Sequence, residues 1–417
     1  MNSSLEHLTQ MVVKYGGSSL ADHERISKAA TAIAKEYEKG SRIAVIVSAI
    51  GKTTDLLLDL VNNSCGGKID KDQLDDILAM GERTSARIFA AALESKGVQT
   101  RYFDPCEEDW PIVTDDAFSN ASPVLEECDA KIGKHVLPLV QGNIVPIIPG
   151  FIGRTLEGKI TTLGRGGSDT TAFILAKALN FNDVVLVTDS DGIMSADPKV
   201  VDNPQVIREI DVNILMEIAD SSAKFIHRKA LRYKDPSINV KVISYKSGEL
   251  SAEGTRVVGE TSKGFDVTMV SPLPVTSIAL IGRGVSGNPE IIRDITEKVK
   301  TYSTLLGLSG DCNSLILFVS EEGDLDLLLN RISEMALRYD KAVAMSVRRN
   351  LALIKTTGIS SEETGAIVGE VSKVLSLNKI NLFGLVTAGS GIIISADWQA
   401  RQQVLDIAKN SLRRHFQ

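Results

Sequence analysis

The chain has little cysteine, histidine or tryptophan: 417 residues include 4 Cys, 5 His and 2 Trp. Cys65, Cys106, Cys128 and Cys312 show no Cys-x-x-Cys spacing, so the pattern offers neither a disulfide framework nor a zinc site. The histidines are scattered. The net charge is −7 and no basic run is long, which argues against a nucleic-acid surface. No apolar stretch approaches the length of a membrane span. Met1 to Gln10 is polar and lacks the apolar centre of a signal peptide. These absences together lead us to expect a reduced, cytoplasmic protein. The remaining composition, 43% hydrophobic and 24% charged, is ordinary for a globular chain long enough for two or three domains.

Glycine is where the sequence becomes specific. Residues 161–169 read Thr-Thr-Leu-Gly-Arg-Gly-Gly-Ser-Asp, at the start of an apolar helical run from Thr170 to Leu179. Glycine lets backbone amides approach an anion, and a helix N-terminus attracts negative charge. The Arg165 fork can hold a carboxylate in bidentate fashion. A second segment, Lys14-Tyr15-Gly16-Gly17-Ser18-Ser19, follows the strand-like Met11-Val12-Val13. Two phosphate-type loops, one with a lysine and one with an arginine and an aspartate, point to phosphoryl transfer onto an acidic substrate.

From Met11 to about Val258 short apolar strands alternate with helical patterns. Ile43–Ser48, Ile144–Phe151 and Val184–Thr188 read as strands buried on both faces. The pattern predicts an α/β sheet, at least partly parallel, sandwiched by helices, with ligands beyond the carboxyl ends of its strands. Gly259 to Pro274 breaks the pattern and marks a domain boundary. Beyond it Ser277-Ile278-Ala279-Leu280-Ile281 resembles Asn350-Leu351-Ala352-Leu353-Ile354, and each is followed by a helix (Glu290–Thr301; Glu362–Leu377) and a strand (Leu315–Ser320; Ile392–Ala396). That repeat predicts a βαββαβ plan used twice, with helices on one face of antiparallel sheet.

With these residues in view, the chain resembles the aspartate kinases of the amino-acid kinase family, on Lys14 to Ser19, Gly81-Glu82-Arg83 and Thr162 to Asp169. The resemblance implies a kinase domain over 1–262 and two ferredoxin-like ACT modules over 263–345 and 346–417. A strand at 264–270 is assignable to the second of these, because family members insert the first module within the second. It further implies ATP-dependent phosphorylation of the β-carboxylate of L-aspartate, giving 4-phospho-L-aspartate and ADP, the first step toward lysine, threonine and methionine. ATP would arrive with Mg²⁺. An amino-acid effector at the ACT modules and a homodimer or larger homo-oligomer are expected; nucleic-acid and membrane partners are not.

By the same resemblance Lys14 supports the γ-phosphoryl group while the amides of Gly16, Gly17 and Ser18 line its oxygens. Asp169 is either catalytic, organising Lys14 with substrate or metal, or a helix cap, a task Ser168 could take instead. Ser48, Thr54 and Ser168 are expected around the acidic substrate, although hydroxyls at a strand end also serve as turn formers. Glu82 is expected to meet the substrate ammonium and Arg165 its α-carboxylate. Thr188, Asp189, Met194 and Lys199 resemble the nucleotide loop, with Met and Lys where the family has an aromatic residue and an arginine; the other reading is a plain turn. Lys224 is expected at nucleotide phosphates, and Arg228 and Lys229 read equally as a solvated helix face. Two further readings are a non-catalytic amino-acid-binding regulator with the same fold, and a kinase for another acidic amino acid.

Overall fold

The computed structural model describes residues 9–219, 226–260, 265–336, 338–339, 344–359, 361–388 and 391–416. The chain divides into two compact units, Met1–Lys263 and Gly264–Gln417. No helix among the described residues is long and apolar enough to cross a membrane.

The first unit runs β1 (Gln10–Tyr15), α1 (His23–Glu38), β2 (Arg42–Val47), α2 (Thr53–Cys65), α3 (Lys71–Glu94), β3 (Thr100–Tyr102), α4 (Leu125–His135), α5 (Leu137–Gln141), β4 (Val145–Pro149), β5 (Ile152–Arg154), β6 (Ile160–Thr162), α6 (Gly167–Leu179), β7 (Asp183–Thr188), β8 (Glu209–Asp211), α7 (Val212–Ala219), α8 (Arg228–Leu231), β9 (Asn239–Ser244) and β10 (Thr255–Val258). Eight strands form one sheet in the order β3-β4-β2-β1-β7-β9-β10-β8. Every neighbouring pair is parallel except β9 with β10. β5 and β6 make a separate antiparallel ribbon.

Strand alternation sends successive side chains of β1 to opposite faces. Met11, Val13 and Tyr15 enter one core with α1 and the C-terminal part of α3; Val12 enters the other with α4 and α6. Lys14 and Ser48 fall on the Val12 side by the same alternation, which is the α6 side. β1 lies between β2 and β7, where the sheet order turns outward in both directions, and such a switch point opens a crevice at the carboxyl ends of the strands.

One expected strand is broken. The apolar run Ile144–Phe151 pairs only as Val145–Pro149, because Phe151 takes φ 68° and turns the chain into β5. Gly150 at that turn is required by contact: a Cβ there would lie 2.7 Å from the Ser168 side chain and 2.8 Å from Ile46.

The second unit runs β11 (Asp266–Met269), β12 (Val275–Ile281), α9 (Pro289–Tyr302), β13 (Leu305–Asp311), β14 (Ser314–Ser320), α10 (Leu325–Ala336), β15 (Ala344–Thr357), α11 (Ser361–Leu377), β16 (Leu382–Ala388), β17 (Gly391–Asp397) and α12 (Arg401–Phe416). Its antiparallel sheet has the order β13-β14-β12-β15-β17-β16, with β11 also paired to β15. β15 serves both halves: Ala344–Arg348 pair with β12, and Leu351–Thr357 pair with β17. Residues 345 and 346 therefore lie inside one continuous strand. One core gathers Ile278, Leu280 and Leu317 with α9 and α10, and another gathers Ala352, Ile354 and Ile394 with α11 and α12.

Candidate active site

The carboxyl ends of β1 and β2 and the first turn of α6 bring four of the expected residues together. Lys14 Nζ lies 2.6 Å from Asp169 Oδ1, with the two side chains 15% and 9% exposed. Beside them Ser48 Oγ donates to Ser168 Oγ at 3.0 Å. Gly166, at φ 74°, is the N-cap of α6 and no side chain caps the helix. The cap reading is thereby overturned for both Ser168 and Asp169. They occupy the second and third positions of the helix, where a carboxylate is favoured by the helix dipole while its oxygens reach Lys14.

Glu82 enters from α3. Gly81 packs so closely that an added Cβ would lie 2.9 Å from Ala49 Cβ and 3.7 Å from Thr54 Oγ1, which sets Glu82 against the segment following β2. The Ala49 amide donates to Glu82 Oε1 at 3.1 Å. Glu82 Oε2 is buried and has no hydrogen-bond partner among the described residues. Burial pushes the Glu82 carboxyl up to about 7, against the smaller opposing effect of the Ala49 amide. A buried carboxylate with one oxygen unspent suits a cationic ligand group.

The phosphate-type loop after β1 differs from expectation at Gly16. Its amide donates to the Val187 carbonyl at 3.2 Å, which ties β1 to the end of β7 and removes that donor from the set foreseen for phosphate oxygens. Gly17 and Ser18 open a 3₁₀ turn, Gly17–Leu20. Gly17 sits tightly under the chain after β2, since a Cβ would lie 2.7 Å from the Ala49 carbonyl oxygen. Thr188 and Asp189 stand at the end of β7, the Thr188 hydroxyl donating to Asp189 Oδ1 at 3.2 Å.

Other expected residues share no hydrogen bond or ion pair with this cluster among the described residues. Arg165 is exposed, and its guanidinium has no partner among the described residues. Met194 is half-buried in a bridge to Val206, while Lys199 is exposed and its amide donates to Asp197 Oδ1 in a local turn. No hydrogen bond or ion pair among the described residues joins Met194 or Lys199 to Lys14 or Asp169. Lys224 lies outside the described residues. The solvated-face reading of Arg228 and Lys229 fails. Arg228 is buried, and Lys229 Nζ donates to Asn120 Oδ1 at 2.7 Å, Leu163 O at 2.7 Å and Ala121 O at 3.1 Å. Burial pushes the Lys229 ammonium down to about 8.

Sequence reasoning missed two anchoring carboxylates. Asp75 is fully buried on α3 and binds Thr162 at the end of β6. Asp104 receives the Arg83 fork at 3.1 to 3.3 Å and a bond from Arg87, fixing α3 to the segment after β3. Asp75 stands seven residues before Glu82 and so shares its helix face, a phase relation the sequence does contain. Among the described residues no group of three or more His, Cys, Asp or Glu side chains gathers as metal ligands.

The model of the amino acid kinase family matches residues 9–244. An aspartokinase of Mycobacterium tuberculosis is 37% identical over 271 residues, 64% of this chain and 61% of its own. One of Helicobacter pylori is 27% identical over 402 residues, 93% of this chain and 95% of its own. An aspartate kinase structure from Synechocystis matches with a TM-score of 0.73 at 24% identity, over 96% of this chain and 69% of the other. The structure of E. coli aspartokinase III in complex with aspartate and ADP matches with a TM-score of 0.55 at 23% identity, over 96% and 99%. The present chain spans 61% of the length of the mycobacterial relatives. With the family model matched across more than half of its residues, the chain belongs to the amino acid kinase family.

Proposed function

We propose that the chain transfers the γ-phosphoryl group of ATP to the β-carboxylate of L-aspartate, giving 4-phospho-L-aspartate and ADP. The observation that carries this reading is the gathering of the Lys14–Asp169 pair with Ser48 and Ser168 at the carboxyl ends of the parallel strands. Aspartokinase relatives and a related enzyme described with aspartate and ADP support it.

In this reading Lys14 neutralises charge on the transferred phosphoryl group, and Asp169 holds the ammonium in place. The Gly17 and Ser18 amides, with Thr188 and Asp189, border the nucleotide, and Met194, Lys199 and Lys224 contact it from the neighbouring loops. Glu82 accepts the substrate ammonium and Arg165 takes the α-carboxylate, while Ser48, Thr54 and Ser168 flank the β-carboxylate. An oxygen of that carboxylate forms the bond to Pγ as the bond to the ADP oxygen breaks. The acceptor is already ionised at neutral pH, so no general base is needed. Catalysis is then positioning and charge neutralisation. The donor set suits Mg²⁺ held mainly by nucleotide oxygens, with Asp169 the nearest carboxylate to Lys14; bound there, the ion would draw charge from the β- and γ-oxygens.

The repeated halves of the second unit are read as ACT modules that bind an end-product amino acid, and the protein as a cytoplasmic homo-oligomer. A related aspartokinase III described with lysine supports the effector reading. The test is ADP release with Mg-ATP and either aspartate or glutamate. Aspartate-dependent ADP with little response to glutamate is expected; ADP release that neither amino acid stimulates refutes the proposal.

A further inference from the structure

We propose that Asp75 is a positioning residue for the amino-acid substrate, fixing the turn that bears Arg165 at a set distance from Glu82. This rests on the roles proposed above for Glu82 and Arg165. Asp75 is 0% exposed, and its carboxylate is satisfied entirely by neutral donors. Oδ2 accepts from the Ser119 amide at 2.8 Å and the Thr162 amide at 2.8 Å. Oδ1 accepts from the Ser119 hydroxyl at 3.2 Å and the Thr162 hydroxyl at 2.9 Å. Among the described residues no Lys, Arg or His pairs with it. A buried charge held this way is a costly means of joining a helix to a strand, and its return is a defined geometry.

The geometry it defines runs between the two ends of the proposed substrate. Asp75 and Glu82 are seven residues apart on α3, nearly two full turns, so they share a face about 10 Å apart along the axis. Thr162 is the last residue of β6, three before Arg165. The Thr162 carbonyl accepts from the Ala121 amide at 2.9 Å, so the two segments gripped by Asp75 also grip each other. From the other side Lys229 holds the Leu163 carbonyl, and the Leu163 amide donates to Phe151 O at 2.8 Å. Arg165 has no side-chain partner among the described residues, so its backbone anchorage alone sets where its guanidinium starts. One helix thus carries the group proposed for the ammonium and also clamps the strand that leads to the group proposed for the α-carboxylate. Asp169 is held separately, by α6 and by Lys14, so loosening the clamp acts on the amino-acid end of the site rather than on the nucleotide.

The test is a comparison of KM values in the full chain. In Asp75→Ala the buried Thr162 amide and the part-buried Ser119 amide lose their acceptor, and kcat/KM for aspartate should fall on the order of 10²-fold, with KM for Mg-ATP within about twofold of wild type. Asp75→Asn can keep the clamp, its carbonyl taking the amides and its NH2 meeting the hydroxyls, and should stay within about fivefold. If Asp75→Ala does not fold, the double variant Ser119→Ala, Thr162→Val removes only the hydroxyl half and should raise KM for aspartate without moving that for Mg-ATP. A folded Asp75→Ala or double variant with an unchanged aspartate KM overturns the proposal, as do equal rises in both KM values. Were Glu82→Gln to raise the aspartate KM while the clamp variants did not, this inference alone would fail. Were wild type to show no aspartate-dependent turnover, the proposed function itself would fail.

Discussion

Replacing Glu82 with Gln should make the fold gain stability relative to wild type as pH rises, and make the enzyme worse in a pH-dependent way. Burial raises the Glu82 carboxyl from an ordinary 4.5 to about 7. Between those values the folded chain binds more protons than the unfolded one. Stability from this group is therefore full below about pH 4.5 and is lost as pH rises through about 7. Between pH 5 and pH 8 the loss amounts to about 2 to 3 kcal/mol, at about 1.4 kcal/mol per unit. Gln cannot ionise, so the difference in unfolding free energy between Glu82→Gln and wild type should shift by that amount in favour of the variant over this range. The unpaired amide NH2 that Gln introduces costs about 1 to 3 kcal/mol at either pH and cancels from the comparison. Substrate binding should move the other way. If the ionised carboxylate receives the ammonium, only about one molecule in eleven is ready at pH 6, and kcat/KM for aspartate should be about tenfold lower there than at pH 8. Aspartate itself does not titrate in that window. Urea unfolding at pH 5 and 8, with kinetics from pH 6 to 8, measures both. A variant that loses more stability at pH 8 than at pH 5, or that keeps the wild-type pH profile for aspartate, refutes the reasoning.

Lys14→Met and Asp169→Ala should each lower kcat by about 10²- to 10⁴-fold, as expected where charge neutralisation dominates, with circular dichroism unchanged; near-normal turnover in either contradicts the role given to the pair. Gly150→Ala forces a methyl against Ser168 and Ile46, and should cost about 1 to 3 kcal/mol in thermal unfolding and reduce kcat. Among lysine, threonine and methionine, an effector of the second unit should raise thermal stability by about 2.7 kcal/mol at a hundredfold excess over its Kd. No shift with any of the three removes the effector reading.

The parts of the site readable in the sequence are those coded by a few adjacent residues. Lys14 before two glycines and Asp169 after three point to an anion site only in combination, and strand alternation turns Lys14 and Ser48 toward α6. The buried strands were equally plain, as near-continuous β-branched runs such as Ile43 to Val47. What could not be read depends on contact between distant segments. Gly166 takes the cap because its backbone is left-handed there, and the residues next to it give no sign of that choice. Gly16 gives its amide to a strand that begins 167 residues later at Asp183, a partner fixed only by sheet order. Lys229 looked like part of a basic surface because its three acceptors come from loops more than sixty residues away. In the second unit β13 and β16 include glycine and partly exposed residues, and their pairing with β14 and β17 rather than an apolar run defines them.

β15 gives the second unit a mechanical property of its own. A single backbone run is hydrogen-bonded to β12 over its first part and to β17 over its last, with Asn350 at φ 57° between them. Sliding this strand by one residue would turn its side chains over in both halves together. A cut within 344–357 would leave raw, unpaired edges on both sides of the break.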